Sequence, residues 1–241
     1  MSRRYPAVAS LVLAALACVP QTGLALTGQV TQISGAVLAR GADGQSRILA
    51  LKSAVREGDV LVTADNSFAR IKWDDGGEVV LRANTQFKVD AYDYEMGTPA
   101  RDNVLFSLIK GGFRAVTGAL TRRNPQAYSV RAPTATIGIR GTHFGALFCN
   151  DDCANVPAPG AGPPANGLHV DVADGRIFLA TTVAIIELAV GQFGYAPSGV
   201  LAPVQVPESQ GIRVTLPPQA ANPAIQGGTV GTGGHLECTI R

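Results

Sequence analysis

Residues 68–85 read FARIKWDDGGEVVLRANT, and this stretch predicts a β-hairpin. Alternation places Ile71 and Trp73 on one face of its first strand and Arg70 and Lys72 on the other. The DDGG tetrapeptide that follows supplies the residues that tight hairpin turns require. Because one face is apolar and the other charged, the pattern favours an antiparallel sheet with one buried side.

The two-residue period continues beyond the hairpin turn. Val79 and Leu81 are expected to point inward, and so are Phe87, Val89 and Ala91 in the next strand. Short strands of this kind recur about every ten residues, with turn residues between them. We therefore predict an all-β fold, a compact β-sandwich or β-roll of many short strands. A regular solenoid is less favoured because the spacing has no strict period.

Three regions interrupt this pattern. The glycine pair at 111–112 is expected to separate a strand at 104–109 from another at 113–116. Residues 150–167 contain four prolines and predict an exposed loop. Residues 196–241 are rich in Pro and Gly, and they predict a C-terminal arm without a core of its own.

The first 25 residues have the pattern of a secretory signal peptide. Arg3 and Arg4 form a basic start, Ala7–Val19 is apolar, and a small-x-small cleavage site ends at Ala25. The apolar run is shorter than the roughly 20 residues of a spanning helix, which disfavours a permanent anchor. Lipidation of Cys18 is also less favoured, because the residues before it are in the wrong order for a lipoprotein site.

Export sets both the compartment and the charge of the mature chain. We expect a periplasmic or secreted protein with no transmembrane segment after cleavage. The formal charge of +2 comes entirely from Arg3 and Arg4, since the remaining chain has 18 basic and 18 acidic residues. A neutral chain is a poor partner for nucleic acid, whose binding usually needs a basic excess.

Four segments, in this order, resemble the FecR domain, the periplasmic part of iron-dicitrate-type cell-surface signalling regulators. They are EGDVLVT at 57–63, the hairpin at 68–85, KGGFRAVTG at 110–118 and APTATIGIRGTHF at 132–144. The best-matched core is 57–148, within a β domain expected to span 26–195. In place of the acidic residue that commonly follows Arg-Gly-Thr in the family, this sequence has His143.

The resemblance implies a structural role for the turn residues and a non-catalytic role for the domain. The turn residues that match the family motifs are Gly58, Asp59, Asp75, Gly76, Asn84, Thr85, Gly141 and Thr142. In the family, the exported domain binds proteins and relays signals. Full-length regulators also have a cytoplasmic anti-sigma segment and a membrane helix, and we expect neither here because only a few residues precede the apolar run.

Cysteine spacing predicts a local disulfide. Cys149 and Cys153 flank a short turn, and an oxidising compartment favours their pairing. Cys238 would then be free or would pair between molecules. Pairing of Cys238 with either of the other two is the alternative.

A metal-dependent or carbohydrate-active protein is the competing interpretation. Its candidate residues are His143 and His169, the pair Asp74 and Asp75, and the pair Asp171 and Asp174. Each carboxylate pair precedes a glycine in a turn, where Asp is common because its side chain bonds the local backbone. We therefore expect no catalytic, cofactor or metal site.

The favoured interpretation is an exported binding, scaffold or signalling-associated module whose partner is another envelope protein. Residues 132–139 carry no charge, and an unprotected strand edge can recruit a partner strand. If this segment is an edge, Ile137, Ile139, Arg140 and His143 are candidate contacts. Arg140 could instead cap carbonyls at a corner of the sheet. The oligomeric state is left open.

Overall fold

The computed structural model describes residues 26–160 and 162–221. The predicted signal peptide, Cys238 and the end of the predicted arm lie outside these ranges. The described strands are β1 Leu26–Ser34, β2 Val37–Arg40, β3 Ser46–Ile48, β4 Ala54–Arg56, β5 Val60–Thr63, β6 Phe68–Trp73, β7 Glu78–Leu81, β8 Gln86–Asp93, β9 Asn103–Val116, β10 Tyr128–Arg131, β11 Thr136–Cys149, β12 Gly167–Ala180, β13 Ile185–Ala189, β14 Phe193–Ala196 and β15 Val204–Val206.

Helical structure is minor in the described part of the chain. It comprises α1 Ala119–Arg123, α2 Pro218–Ala221 and single 3-10 turns at Pro99–Arg101 and Pro125–Ala127. None of these helices is long and apolar enough to cross a membrane. The predicted all-β class is therefore confirmed.

All fifteen strands belong to one hydrogen-bonded sheet that folds into two layers. Three strands of 14 residues, β9, β11 and β12, change neighbours halfway along their length. The first half of β9 pairs with β8 and β10, and its second half pairs with β7 and β11. Layer 1 therefore runs β4-β1-β6-β7-β9-β11-β12-β14-β15, and layer 2 runs β3-β2-β5-β8-β9-β10-β11-β12-β13.

Gly111 marks the point at which β9 passes from one layer to the other. Its φ of +76° lies in the left-handed region, where a side chain is strained. A Cβ at this position would lie 2.6 Å from both the Asn84 carbonyl oxygen and the Thr85 Oγ1. The prediction that the glycine pair ends a strand is wrong, because Gly111 bends a strand that continues from 103 to 116.

β11 and β12 bend together. Gly141 has a φ of +56°, and the register between the two strands shifts between Arg140 and His143. Gly175 lies opposite this bend, and a Cβ on it would fall 1.9 Å from the Gly141 carbonyl oxygen. The two strands can therefore turn the same corner only with glycine at this contact.

The main core lies between the two layers. The ring centroids of Trp73 in layer 1 and Phe106 in layer 2 are 4.9 Å apart, and those of Phe87 and Phe113 are 5.2 Å apart. The inward positions predicted from the hairpin are buried, including Ile71. Contact between aromatic rings of opposite layers holds the sheet closed on itself.

One predicted inward position is wrong because β8 contains a bulge. Pairing with β9 skips a residue between Val89 and Ala91, which reverses the alternation beyond that point. Tyr92 is consequently buried, whereas Ala91 is only partly buried. The side chain that completes this end of the core is therefore Tyr92, which stacks on Trp73 with ring centroids 5.5 Å apart.

The described part of the predicted arm, residues 196–221, packs on the β domain. It contributes β15, which pairs with β14, and then crosses the outer face of layer 1. Val214 packs against Leu147, and Ala220 packs against Val80. Layer 1 is therefore covered on both faces, and residues 207–221, here called the C-terminal segment, supply part of its outer cover.

Gly111→Ala tests whether crowding at the bend, in addition to backbone strain, requires glycine. Gly44→Ala is the matched control, because Gly44 has a φ of +79° but no atom lies within 4 Å of the point that a Cβ would occupy. We expect Gly44→Ala to lower the free energy of unfolding by about 1 kcal/mol. We expect Gly111→Ala to lower it by about 2–4 kcal/mol, since overpacking adds to the same strain. Equal losses in urea denaturation would contradict the role of crowding.

Candidate functional site

Gly58 and Asp59 form the turn before β5. Gly58 has a φ of +84°, and the buried Asp59 carboxylate accepts the Arg56 backbone N–H at 2.8 Å. Two guanidinium nitrogens of Arg47 also donate to this carboxylate, and the hydrogen bond raises the pKa of Arg47. The carboxylate is thereby fully used in holding the turn.

Asp75 and Gly76 have a similar structural role in the β6–β7 hairpin. The Asp75 carboxylate accepts the Gly77 N–H at 2.9 Å and the Tyr92 hydroxyl at 3.0 Å. Gly76 provides the left-handed position, with a φ of +82°. Burial, reinforced by the negative charge of Asp75, raises the pKa of Tyr92. The geometry assigns Asp75 to a structural network, whereas the neighbouring Asp74 is exposed.

Asn84 and Thr85 connect the next corner to the bend in β9. Asn84 has a φ of +57°. Thr85 Oγ1 donates to the Gly112 carbonyl at 2.9 Å and accepts the Gly112 N–H at 3.0 Å. The Thr85 N–H in turn donates to Thr63 Oγ1 at 2.9 Å. This corner therefore orients the backbone next to the bend at Gly111.

The closing motif lies at the bend of β11. The Thr142 N–H donates to Thr117 Oγ1 at 2.9 Å, which ties the bend to the end of β9. Arg140 is exposed on the other side of Gly141, and its side chain makes no hydrogen bond to any residue in 26–160 or 162–221. Within the described structure Arg140 does not cap carbonyls, so that interpretation is wrong there.

The proposed strand edge at 132–139 is not an edge. β11 pairs with β12 on one side and with β10 and β9 on the other. Ile137 and Ile139 are 0% and 4% exposed, respectively. The absence of charge in this segment therefore reflects burial between two strands, and these two side chains are part of the core.

A row of cross-strand neighbours crosses the outer face of layer 1. The row, here called the outer-face row, consists of Gln32, Arg70, Val80, Arg114, Gly145, Asp171 and Phe193. Its polar members bind the backbone of the C-terminal segment. Gln32 Nε2 donates to the Gln219 carbonyl at 2.9 Å, and Arg70 Nη2 donates to the Ala220 carbonyl at 2.8 Å. The sheet thus holds the segment through main-chain contacts.

A buried ion pair forms the centre of this row. Arg114 Nη1 lies 3.0 Å from Asp171 Oδ2, and the side chains of Arg114 and Asp171 are 10% and 2% exposed, respectively. The same nitrogen donates to the Val214 carbonyl at 2.7 Å, while Asp171 Oδ1 accepts the Val214 N–H at 2.8 Å. Gly145 leaves the necessary space, because a Cβ there would fall 2.4 Å from Asp171 Oδ1.

His143 completes the cluster beside Arg114. Arg114 Nε donates to His143 Nε2 at 2.7 Å, so this ring nitrogen is the acceptor and the ring is neutral. Burial, followed by the positive charge of Arg114, lowers the pKa of His143. An acidic residue at this position would face the same guanidinium, and the histidine instead makes a neutral contact with it.

His169 is part of a separate contact. Its Nε2 lies 2.8 Å from the Ala165 carbonyl oxygen, and its ring stacks on Tyr195 with centroids 4.7 Å apart. Burial lowers the pKa of His169. Its cross-strand neighbour is Leu147, whereas His143 lies opposite Asp174 further along the ladder. Among the described residues, no group of three or more His, Cys, Asp or Glu side chains is placed to hold a metal ion.

The predicted disulfide between Cys149 and Cys153 is present. Both sulfurs are buried, and they pack with Ile212 and Val214 of the C-terminal segment. The disulfide therefore closes the turn at the start of the Pro-rich loop and also contributes to the outer cover of layer 1.

Sequence reasoning missed Arg114 and Val214, although the sequence carries an indirect signal. Val79, Val80 and Leu81 are consecutive apolar residues, and so are most positions of 144–148. Such runs indicate a sheet that is covered on both faces. They do not indicate which segment supplies the second cover.

Exposed apolar side chains lie on or near β13 and β15, the two strands of the described structure that have an unpaired edge beyond β12. Within the described residues, β13 pairs only with β12, and β15 pairs only with β14. The exposed side chains, here called the edge patch, are Val183, Ile185, Val190, Val200, Leu201 and Val204. The β12–β13 turn joins the two parts, because the Thr182 N–H donates to the Gly199 carbonyl at 3.0 Å.

Charge is nearly absent around the edge patch. Glu187 is the one charged residue between Arg176 and Glu208, and it pairs with Arg176 at 2.8 Å. At the other end of layer 2, β3 carries Arg47, which is held by Asp59. The free edge strand β13 therefore carries a single charged residue, Glu187, of the kind that can keep a strand edge from pairing.

Asp171→Asn tests the link between the outer-face row and the C-terminal segment. Removing the buried carboxylate leaves Arg114 without its partner, so we expect the free energy of unfolding to fall by about 3 kcal/mol. Asp174→Asn on the same strand is the control, because Asp174 is exposed and a surface change should stay within about 0.5 kcal/mol. Urea denaturation measures both, and equal effects would contradict the assignment.

Stability should also depend on pH through His143. Its pKa is lower in the folded state than in the unfolded chain, so the unfolded state binds more protons as pH falls below the ordinary histidine value. The contribution of His143 is therefore present above that value and is lost as pH decreases. His143→Gln should flatten the difference in unfolding free energy between pH 7.5 and pH 5. An unchanged pH dependence would show that the histidine is not held neutral.

One family model and several solved structures match parts of the chain. Residues 59–158 match the family model described as FecR protein. Two crystal structures of a protein from Parabacteroides distasonis, provisionally described as an anti-sigma factor, align with TM-scores of 0.46 and 0.45 at 15% and 14% identity. Each alignment covers 62% of this chain, which in turn spans 59% of that protein.

A structure described as a cell surface anchoring domain aligns at 26% identity over 26% of this chain and 82% of its own, with a TM-score of 0.25. No curated protein matches the chain. The matched family segment extends from the opening turn at Asp59 through the bends of β9 and β11 to the Pro-rich loop. Residues 59–158 therefore match the FecR family model, in agreement with the resemblance of the four sequence segments.

Proposed function

We propose that this protein is an exported, non-catalytic FecR-domain protein that binds another protein of the cell envelope. Two features support export to the periplasm or beyond: the signal-like pattern of residues 1–25 and the disulfide between Cys149 and Cys153. The match to the FecR family over residues 59–158 supports a role associated with signalling. The partner is a protein rather than nucleic acid, because the predicted mature chain has no basic excess.

The edge patch is the observation that carries this proposal. Ile185 is 67% exposed and Val200 is 73% exposed, although both lie in stretches with almost no charge. A cluster of exposed apolar side chains beside a free strand edge is costly in water and commonly marks a protein contact. The patch thus replaces the segment at 132–139 as the proposed contact surface.

Strand addition is the binding mode that fits this surface. The outer edge of β13 offers N–H and C=O groups that no described strand uses. A partner strand could bond to this backbone and place its apolar side chains against Ile185 and Val183. Affinity would come from backbone hydrogen bonds and apolar burial, with little electrostatic attraction at long range.

Structural use of the candidate catalytic groups supports a non-catalytic role. The Asp75 carboxylate accepts hydrogen bonds from Gly77 and Tyr92. The Asp171 carboxylate accepts hydrogen bonds from Arg114 and the backbone of Val214. A general acid or base must reach a substrate proton. Carboxylates that already hold a turn or a segment in place are poorly suited to that work.

Ile185→Lys should disrupt partner binding without unfolding the protein. A photo-crosslinking residue at position 185 of the exported chain first identifies the envelope protein that contacts the patch. We then expect Ile185→Lys to weaken binding of that protein at least about tenfold, because the contact would bury an unpaired charge. Surface plasmon resonance with the purified partner measures the loss.

Ile48→Lys is the matched control for this experiment. Ile48 is 79% exposed and also lies on an edge strand, but at the other end of layer 2. The control should bind as the wild type does, and both variants should keep the wild-type circular-dichroism spectrum. Equal weakening by the two substitutions, or no crosslink from position 185, would overturn the assignment of the edge patch.

A further inference from the structure

A cavity of about 420 Å³ lies between the Pro-rich loop and the C-terminal segment. Val156, Pro157 and Pro159 line one side, and Gly211 and Thr215 line the other. Phe193 contributes an aromatic surface, against which Gly211 packs too closely for any side chain at that position. The volume is that of a site for a small molecule or a few peptide side chains.

Arg82 brings a positive charge to this largely apolar cavity. Its backbone is fixed, since its N–H donates to the Gly112 carbonyl at 2.9 Å and its own carbonyl accepts from Thr63 Oγ1 at 2.5 Å. The side chain lines the cavity and is partly buried. It makes no hydrogen bond or ion pair with residues 26–160 or 162–221. The Arg82 guanidinium therefore lies at the cavity wall with no hydrogen-bond acceptor or carboxylate partner among the described residues.

Four other partly buried arginines are used differently. Arg47, Arg70, Arg114 and Arg123 each lie within ion-pair distance of a carboxylate. Arg82 directly follows β7 and has no carboxylate within ion-pair distance among the described residues. Burial also lowers its pKa, which indicates that water solvates the charge poorly. An acceptor that entered the cavity would supply the missing hydrogen bonds.

A second cation lies at the rim. Arg213 lines the cavity with its guanidinium 5.4 Å from the Phe193 ring centroid. It is paired at 3.7 Å with Glu208, but both side chains are mostly exposed, so the pair is weak. The charges facing this cavity sum to a positive value. Arg82 also lines a smaller cavity, but Asp65 and Asp152 line that cavity too and would repel an anion.

We propose that the larger cavity binds the carboxylate of an organic acid or peptide with an apolar body, and that Arg82 receives the carboxylate. The planar guanidinium can donate two parallel hydrogen bonds to a carboxylate. Phe193, Val156 and Pro157 pack against the apolar body, and Arg213 adds attraction at the entrance. This site lies apart from the edge patch, and its existence does not depend on strand addition there.

Titration of the mature protein with 3-phenylpropionate tests the proposal, with 3-phenylpropanamide as the uncharged probe. Amide resonances of Gly211 and Thr215 should shift and saturate with the acid but not with the amide. Arg82→Gln should weaken binding of the acid about tenfold, since a hydrogen bond to a charged group is lost. Arg40→Gln is the matched control, because Arg40 is exposed and lines neither cavity.

Two further arms identify the source of the carboxylate. A short peptide that ends in phenylalanine is compared with its C-terminal amide, and a chain that ends at Ala221 removes residues 222–241, which include Glu237. Tighter binding of either acid to the shortened chain would show that residues 222–241 compete with the acid for the cavity. Unchanged binding would identify an external acid or peptide.

Either outcome supports the proposed site if Arg82→Gln weakens the binding of the acid. Equal binding of the acid and the amide would overturn the proposal. So would unchanged binding of the acid by Arg82→Gln, or the absence of a saturable shift in every arm. The amide spectrum of the free variant shows whether it is folded, so a loss of binding through unfolding is recognised directly.

Discussion

The joint bending of β9, β11 and β12 is the constraint on which the rest of the structure depends. Each strand leaves one layer halfway along and enters the other, so a single sheet encloses its own core. Gly111 and the Gly141–Gly175 contact permit these bends, and Thr85 fixes the backbone beside the first of them. Without the bends, Trp73 and Phe106 would lie on one extended surface rather than facing each other across a core.

Local pattern predicted the strands and the hairpin because two-residue alternation is a direct consequence of burying one face of a sheet. It could not predict where the sheet folds. A glycine pair such as 111–112 is equally suitable for ending a strand and for bending one, and only long-range pairing decides between them. Likewise, the charge-free segment at 132–139 suits both an exposed edge and a central strand. The bulge after Val89 is specified by pairing with β9 and has no local signature.

The outer-face row was beyond prediction for a different reason. Arg114 and Asp171 are 57 residues apart, Asp171 and Val214 are 43 apart, and their contacts exist only after three strands and the C-terminal segment have assembled. Burying this ion pair is costly unless every charged atom is bonded. The backbone of Val214 supplies both a donor and an acceptor, so the segment completes the solvation of the pair. The ion pair and the C-terminal segment therefore stabilise each other. The Pro/Gly-rich composition of the predicted arm gives no sign of this structural role.

Charge placement also bears on the proposed recognition of a partner. Partly buried cations such as Arg47 and Arg114 are paired within the fold, and the edge patch consists of apolar side chains that are exposed. Arg82 differs because it directly follows β7 and lines the space between the Pro-rich loop and the C-terminal segment. The same segment that satisfies Arg114 also forms a wall of the Arg82 cavity. Displacement of the segment would then alter both, and a ligand that contacted Arg82 and the segment would stabilise the segment in its packed position.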